Sequence, residues 1–213
     1  MFNYERFKSA FAALGVEARP AAFDVLSNAY SQPTRHYHNR RHIEELLTLF
    51  DEHESLAGHG AEVELGIWYH DVIYDATRGD NEARSAALAA EHLGDCGIAK
   101  STIQRITAMI EATKTHVADS ADGQLLIDLD LSILGADDKR FGEYDQAIRR
   151  EYAFVPPADF AARRQQVLGH FLARPRIYET PALFEQFETK ARENLRRAIA
   201  AAASDGHQQE EDI

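Results

Sequence analysis

Residues 61–75 read A-E-V-E-L-G-I-W-Y-H-D-V-I-Y-D, and their reading decides the fold. Apolar side chains fall on every face that a helix over about 61–74 would present. A helix apolar all round has to be surrounded by other elements. His70 and Asp71 interrupt the run side by side. Neighbours on a helix point about 100° apart, so the two share no face, yet both can reach a metal held beside the helix between them. Burying an unpaired carboxylate costs several kcal/mol, so Asp71 needs a partner, either a cation or an arginine.

The flanking sequence supplies surrounding helices. Phe2, Phe7, Phe11 and Leu14 predict a first helix ending at Gly15, and Pro20 starts a second through Phe23, Val25, Leu26 and Tyr30. Asn39 is a candidate N-cap for a third, with Ile43, Leu46, Leu47 and Phe50 on one stripe. After 61–74, helices are predicted from Asn81 to near Gly94, over about 100–114, and over about 122–134 closed by Gly135. Later ones fit 137–153, 158–173 and 181–203, with Pro156-Pro157 and Pro175 as breaks. No strand pair or internal repeat stands out. The expectation is an all-α chain: one helical domain over 1–204, with a C-terminal helical extension after Pro156-Pro157, and a disordered polar tail over 205–213.

Bulk properties narrow the function. The 213 residues can bury a substantial core, and 45% apolar with 27% charged residues is ordinary for a globular protein. A net charge of −12 repels phosphate backbones, which argues against a nucleic-acid polymer as partner. A small phosphorylated substrate stays open, because a bound cation reverses the local field. The single cysteine, Cys96, allows no internal disulfide, and no apolar run approaches a membrane span. A soluble cytoplasmic protein with no membrane partner is expected.

Two further stretches carry candidate ligands. R-H-Y-H-N-R-R-H, residues 35–42, holds three of the ten histidines. L-L-I-D-L-D-L-S-I-L-G, residues 125–135, sets Asp128 and Asp130 in an apolar run. Two aspartates at i and i+2 point about 200° apart on a helix, so at least one is expected to face inward. In chain order His42, His70-Asp71 and an aspartate of the last pair lie on separate predicted helices, and converging helices can bring such side chains to one point. Two imidazoles with two carboxylates make a mixed N/O set that suits manganese, iron, cobalt, nickel or zinc, and magnesium with added waters.

That ordered set resembles the HD-domain superfamily of metal-dependent phosphohydrolases. Y-H-N-R-R-H-I, W-Y-H-D-V-I-Y-D, D-N-E-A-R-S-A and D-L-D-L-S-I-L-G are similar to a bacterial family of predicted HD phosphohydrolases of about this length. The motifs span about residues 30–135. The resemblance implies an all-α bundle with one divalent metal ion on His42, His70, Asp71 and Asp130. Asp130 is preferred to Asp128, although Leu131-Ser132 departs from the usual sequel of that ligand. Asp128 is the alternative, as a ligand or as a carboxylate orienting an imidazole.

Around that core, His38 is a candidate for lining the substrate pocket. Asp80 or Asn81 can cap the fifth helix with Glu82 in its first turn; the resemblance adds Glu82 as a candidate acid or base. It likewise places His116 near the site, against phosphate, with Lys114 as a further cation. Cations at a helix C-terminus are an equally simple explanation of Lys114 and His116. The expected activity is hydrolysis of a phosphate ester, a nucleotide or a related small molecule. Alternatives are a non-catalytic nucleotide sensor and a di-iron oxygenase; the latter needs extra histidines, and only His92 and His116 fall in the interval. The C-terminal helices are a candidate homodimer face.

Overall fold

A computed structural model describes residues 1–208, with side chains through residue 203. Its described residues form ten α-helices and no strand, so the all-α expectation holds. The chain divides into two compact units, Met1–Leu129 and Asp130–Ile213. The division falls at the end of the seventh helix, ahead of Pro156-Pro157. No helix among the described residues is long and apolar enough to cross a membrane.

In the first unit, α1 (Tyr4–Ala13), α2 (Pro20–Ala29), α3 (Arg40–His53), α4 (Gly60–Tyr69), α5 (Asn81–Asp95), α6 (Lys100–Ala112) and the body of α7 (Ala121–Asp130) follow in order. α4 is the centre, packed against α1, α3, α5 and α6. Its apolar character all round has that cause: Val63, Leu65, Ile67, Trp68 and Tyr69 are all fully buried. Trp68 sits in an aromatic cluster, with ring centroids of Phe2 at 4.7 Å, Phe7 at 5.5 Å and Phe23 at 6.1 Å. Burying each such ring contributes about 2–3 kcal/mol. Near the start of α4 the buried Glu62 carboxylate takes a hydrogen bond from Arg105 Nε at 2.7 Å, tying the helix to α6. Gly66 lets α4 approach Leu126, whose Cδ2 would lie 3.1 Å from any Cβ there.

The second unit begins with a 3-10 turn over Leu131–Gly135, followed by α8 (Asp138–Glu151), α9 (Pro157–Ala173) and α10 (Pro181–Gln208). α10 packs against α9 and against the 131–135 turn. Asn194 donates from Nδ2 to Leu134 O and Ala136 O, both at 2.8 Å. Tyr178 donates its hydroxyl to Leu131 O at 2.8 Å. Glu188 accepts from the backbone N–H groups of Ile177 and Tyr178 and from Arg192.

Three boundaries differ most from the expected ones. α4 stops at Tyr69, so the His70-Asp71 pair lies in the turn that ends the helix and not within it. The helix expected over 122–134 is α7 plus the 3-10 turn. α10 continues to Gln208, so residues 205–208 of the expected tail belong to the helix, and the rest of that tail, 209–213, lies outside the described residues.

Candidate metal centre

Asn39 caps α3 as expected: its Oδ1 accepts from Arg41 N at 2.9 Å, and its Nδ2 donates to His36 O at 2.9 Å. That cap closes the loop before α3 and sets His42 in the first turn of the helix. His42 is 1% exposed and points into the unit's interior.

His70 and Asp71 arrive from the end of α4. The peptide groups of 71–75 leave the helical ladder because other partners take them. Asp71 O and Val72 O accept from the Arg35 guanidinium at 2.6 and 2.8 Å. Ile73 N donates to Ser85 Oγ at 3.0 Å, and Asp75 N to Asn81 Oδ1 at 3.1 Å. α5 and the segment before α3 therefore terminate α4 where the histidine and aspartate turn inward.

The three side chains meet. His42 Nε2 and His70 Nε2 are 3.1 Å apart, and Asp71 Oδ2 is 3.1 Å from His70 Nε2 and 3.5 Å from His42 Nε2. Neighbouring ligands about 2.1 Å from one cation stand roughly 3.0 Å apart in octahedral and roughly 3.4 Å apart in tetrahedral geometry. The triangle matches one face of either polyhedron. His70 Nδ1 donates to Ile67 O at 2.9 Å, which leaves the Nε2 lone pair toward the other two groups. A backbone anchor of this kind is what orients metal-bound imidazoles. Three lone-pair atoms so close repel one another unless a proton or a cation lies among them. The N/O donor set fits a divalent ion, and His42, His70 and Asp71 can hold one.

Asp71 is 18% exposed in its side chain. Burial pushes its carboxyl up, but the imidazoles of His70, His38 and His42 outweigh burial and hold it well below the usual carboxylate range. His38 thus stands beside the cluster. Its ring stacks on Tyr74 at 4.0 Å between centroids and meets Tyr37 edge-on at 5.0 Å.

The other expected site residues lie as follows. Glu82 is in the first turn of α5, half-buried. Asp80 precedes it at the cap position, yet its carboxylate is taken by Arg78 at 2.6–2.7 Å and makes no cap hydrogen bond. Asn81 instead folds back on Asp75, donating to its carbonyl at 2.9 Å. Lys114, exposed beyond the end of α6, donates to Gly79 O at 2.7 Å, on the loop that leaves the His70-Asp71 turn. His116 is half-buried and takes a left-handed backbone, φ 52°, uncommon for a residue with a side chain. Asp128 is fully buried and accepts from Gln124 Nε2 at 3.1 Å. Asp130 closes α7, half-buried. His92 Nδ1 is 3.1 Å from the Tyr69 hydroxyl.

Arg35 and Tyr74 shape the surroundings of the cluster and were not among the expected residues. Their chief partners are backbone carbonyls and ring faces, which leave no mark in a linear pattern. A separate groove of about 1130 Å³ runs along α6 past His59, Arg105, Val117 and Asp122, and none of the three cluster residues lines it. No family model, curated protein or solved structure gives a significant match to the chain.

Proposed function

We propose that this protein is a metal-dependent phosphohydrolase of the HD type, acting on a phosphate ester of a nucleotide or related small molecule. One observation carries the reading: two buried imidazoles and a carboxylate present three donor atoms at 3.1–3.5 Å from one another inside an all-helical unit. The ordered motifs around His42, His70 and Asp71 support it from the sequence side.

A bound divalent ion supplies Lewis acidity toward a phosphoryl oxygen and a lowered pKa for a bound water. His42 and His70 offer Nε2 lone pairs, the latter fixed by Ile67 O. Asp71 offers one carboxylate oxygen to the same point and has a second for orienting a water or accepting its proton. His38, on Tyr74, provides an imidazole at the side of Asp71 for a substrate oxygen. Lys114 and the loop it holds through Gly79 O add a cationic group to a chain of net charge −12, as a phosphate-binding role needs. Glu82 and His116 are the further acid–base and phosphate-contacting candidates.

The test is a phosphatase screen. Purified protein is stripped of metal, reloaded with Mn²⁺, Co²⁺, Ni²⁺, Zn²⁺ or Mg²⁺, and given a nucleotide panel with a generic aryl phosphate. Metal-dependent phosphate release that disappears in His42→Ala is the expected result. No release under any metal overturns the reading, and a tight nucleotide complex without turnover replaces it with a sensor module.

A further inference from the structure

The three proposed ligands come from two chain segments, the first turn of α3 and the end of α4. Their spacing to within a few tenths of an ångström requires something to hold the segments in register. Arg35 is placed to do so. It is 5% exposed, a depth that arginine seldom reaches without several partners. Its Nη1 donates to Asp71 O at 2.6 Å and to His38 O at 3.3 Å, its Nη2 to Val72 O at 2.8 Å, and its Nε to Gln32 Oε1 at 3.2 Å. The guanidinium also lies 5.4 Å from the Tyr30 ring centroid and 5.7 Å from that of Tyr74. Tyr74 in turn stacks on His38.

One planar cation thus grips the carbonyls on both sides of the gap: His38 from the loop that leads to His42, and Asp71 with Val72 from the turn that bears the carboxylate. The carbonyls of Asp71 and Val72 find their partner in Arg35 just beyond the end of α4. We propose that Arg35 is the positioning residue of the metal centre. It acts through Asp71 and His38, setting the carboxylate against His42 and His70 and holding the His38 ring on Tyr74. Lysine cannot replace it: an ammonium is a point charge that neither spans three carbonyls in a plane nor stacks on rings. The inference rests on reading His42, His70 and Asp71 as a metal site.

Co²⁺ is the probe, because its visible absorption reports both affinity and ligand geometry. Full-length metal-free protein is titrated as wild type, His42→Ala, Arg35→Lys, Tyr74→Leu and Arg105→Ala. Wild type takes up Co²⁺ and His42→Ala does not. Arg35→Lys binds at least tenfold more weakly with a displaced or weakened visible band, and Tyr74→Leu changes the band in the same direction to a lesser extent. Arg105→Ala lowers stability away from the cluster and leaves both readings unchanged. Equal Co²⁺ uptake by wild type and His42→Ala overturns the metal-site reading itself. Loss of uptake in His42→Ala with a wild-type affinity and spectrum in Arg35→Lys overturns only the role of Arg35. So does an equal weakening in Arg105→Ala, which makes the effect one of general stability. Should Arg35→Lys not fold by circular dichroism, Tyr74→Leu decides on the same two readings.

Discussion

The Nε2 atoms of His42 and His70 face each other at 3.1 Å, in the interior of the first unit, with Asp71 Oδ2 within 3.5 Å of both. Two neutral imidazoles do not hold such a contact through their lone pairs alone. A shared proton or a cation makes it favourable, and the chemistry proposed above follows from the second.

Asp71→Ala is expected to lose metal and keep its fold. Arg35 grips the backbone carbonyl of Asp71, a bond that truncating the side chain leaves in place. The mutation deletes one negative charge from the cation's shell, weakening binding by several kcal/mol. Metal analysis and circular-dichroism melting check it together. A folded Asp71→Ala protein with wild-type metal content sinks the ligand assignment.

His92 should make stability depend on pH. Burial lowers its imidazole below the ordinary value of 6.5, with Glu91 and Asp95 opposing that shift. The unfolded chain therefore takes up the proton first, and the contribution of neutral His92 is complete above pH 6.5 and lost as pH falls below it. The Tyr69 hydroxyl, 3.1 Å from Nδ1, donates only while that nitrogen is unprotonated. His92→Asn keeps an acceptor near Nδ1 without the titration. Melting curves from about pH 8 to about pH 5 should then fall less steeply for the mutant than for wild type. Parallel curves would show that His92 is not the source.

Arg105→Ala should destabilise the first unit more than Glu62→Gln does. Glu62 has a side chain 4% exposed, and Arg105 is its partner at 45% exposed. Removing the arginine leaves a buried carboxylate without its cation, which costs more than replacing that carboxylate with a neutral acceptor. Glu62→Gln keeps an acceptor and costs about 1 kcal/mol. Urea unfolding measures both, and the reverse order would mean that water reaches the carboxylate.

Gly135→Ala should disturb the second unit. A Cβ there would lie 2.7 Å from Phe187 Cβ and 2.9 Å from Phe187 O. One of those atoms is backbone, so repacking a side chain does not make room, and α10 must shift. The expected loss is about 2–3 kcal/mol in urea unfolding. A change below about 0.5 kcal/mol, within the range of ordinary surface substitutions, would show that the turn relaxes freely.

The all-α architecture, the central burial of α4 and the Asn39 cap were legible in the sequence, because each depends on periodicity or on neighbours within one helical turn. The residue types of the cluster were legible for a similar reason: a histidine and an aspartate in W-Y-H-D have no local explanation for their burial. What needed the tertiary structure were the partners far along the chain. α4 ends at Tyr69 because Arg35 and Ser85 capture the peptide groups that follow, and a backbone carbonyl reads the same in every sequence. Nothing beside Glu62 in the sequence points to Arg105, 43 positions on, which α6 brings against it. Local propensity settles which elements form, whereas the ends of those elements and the partners of buried charges are settled by competition for hydrogen bonds, and the chain makes that choice only once it is packed.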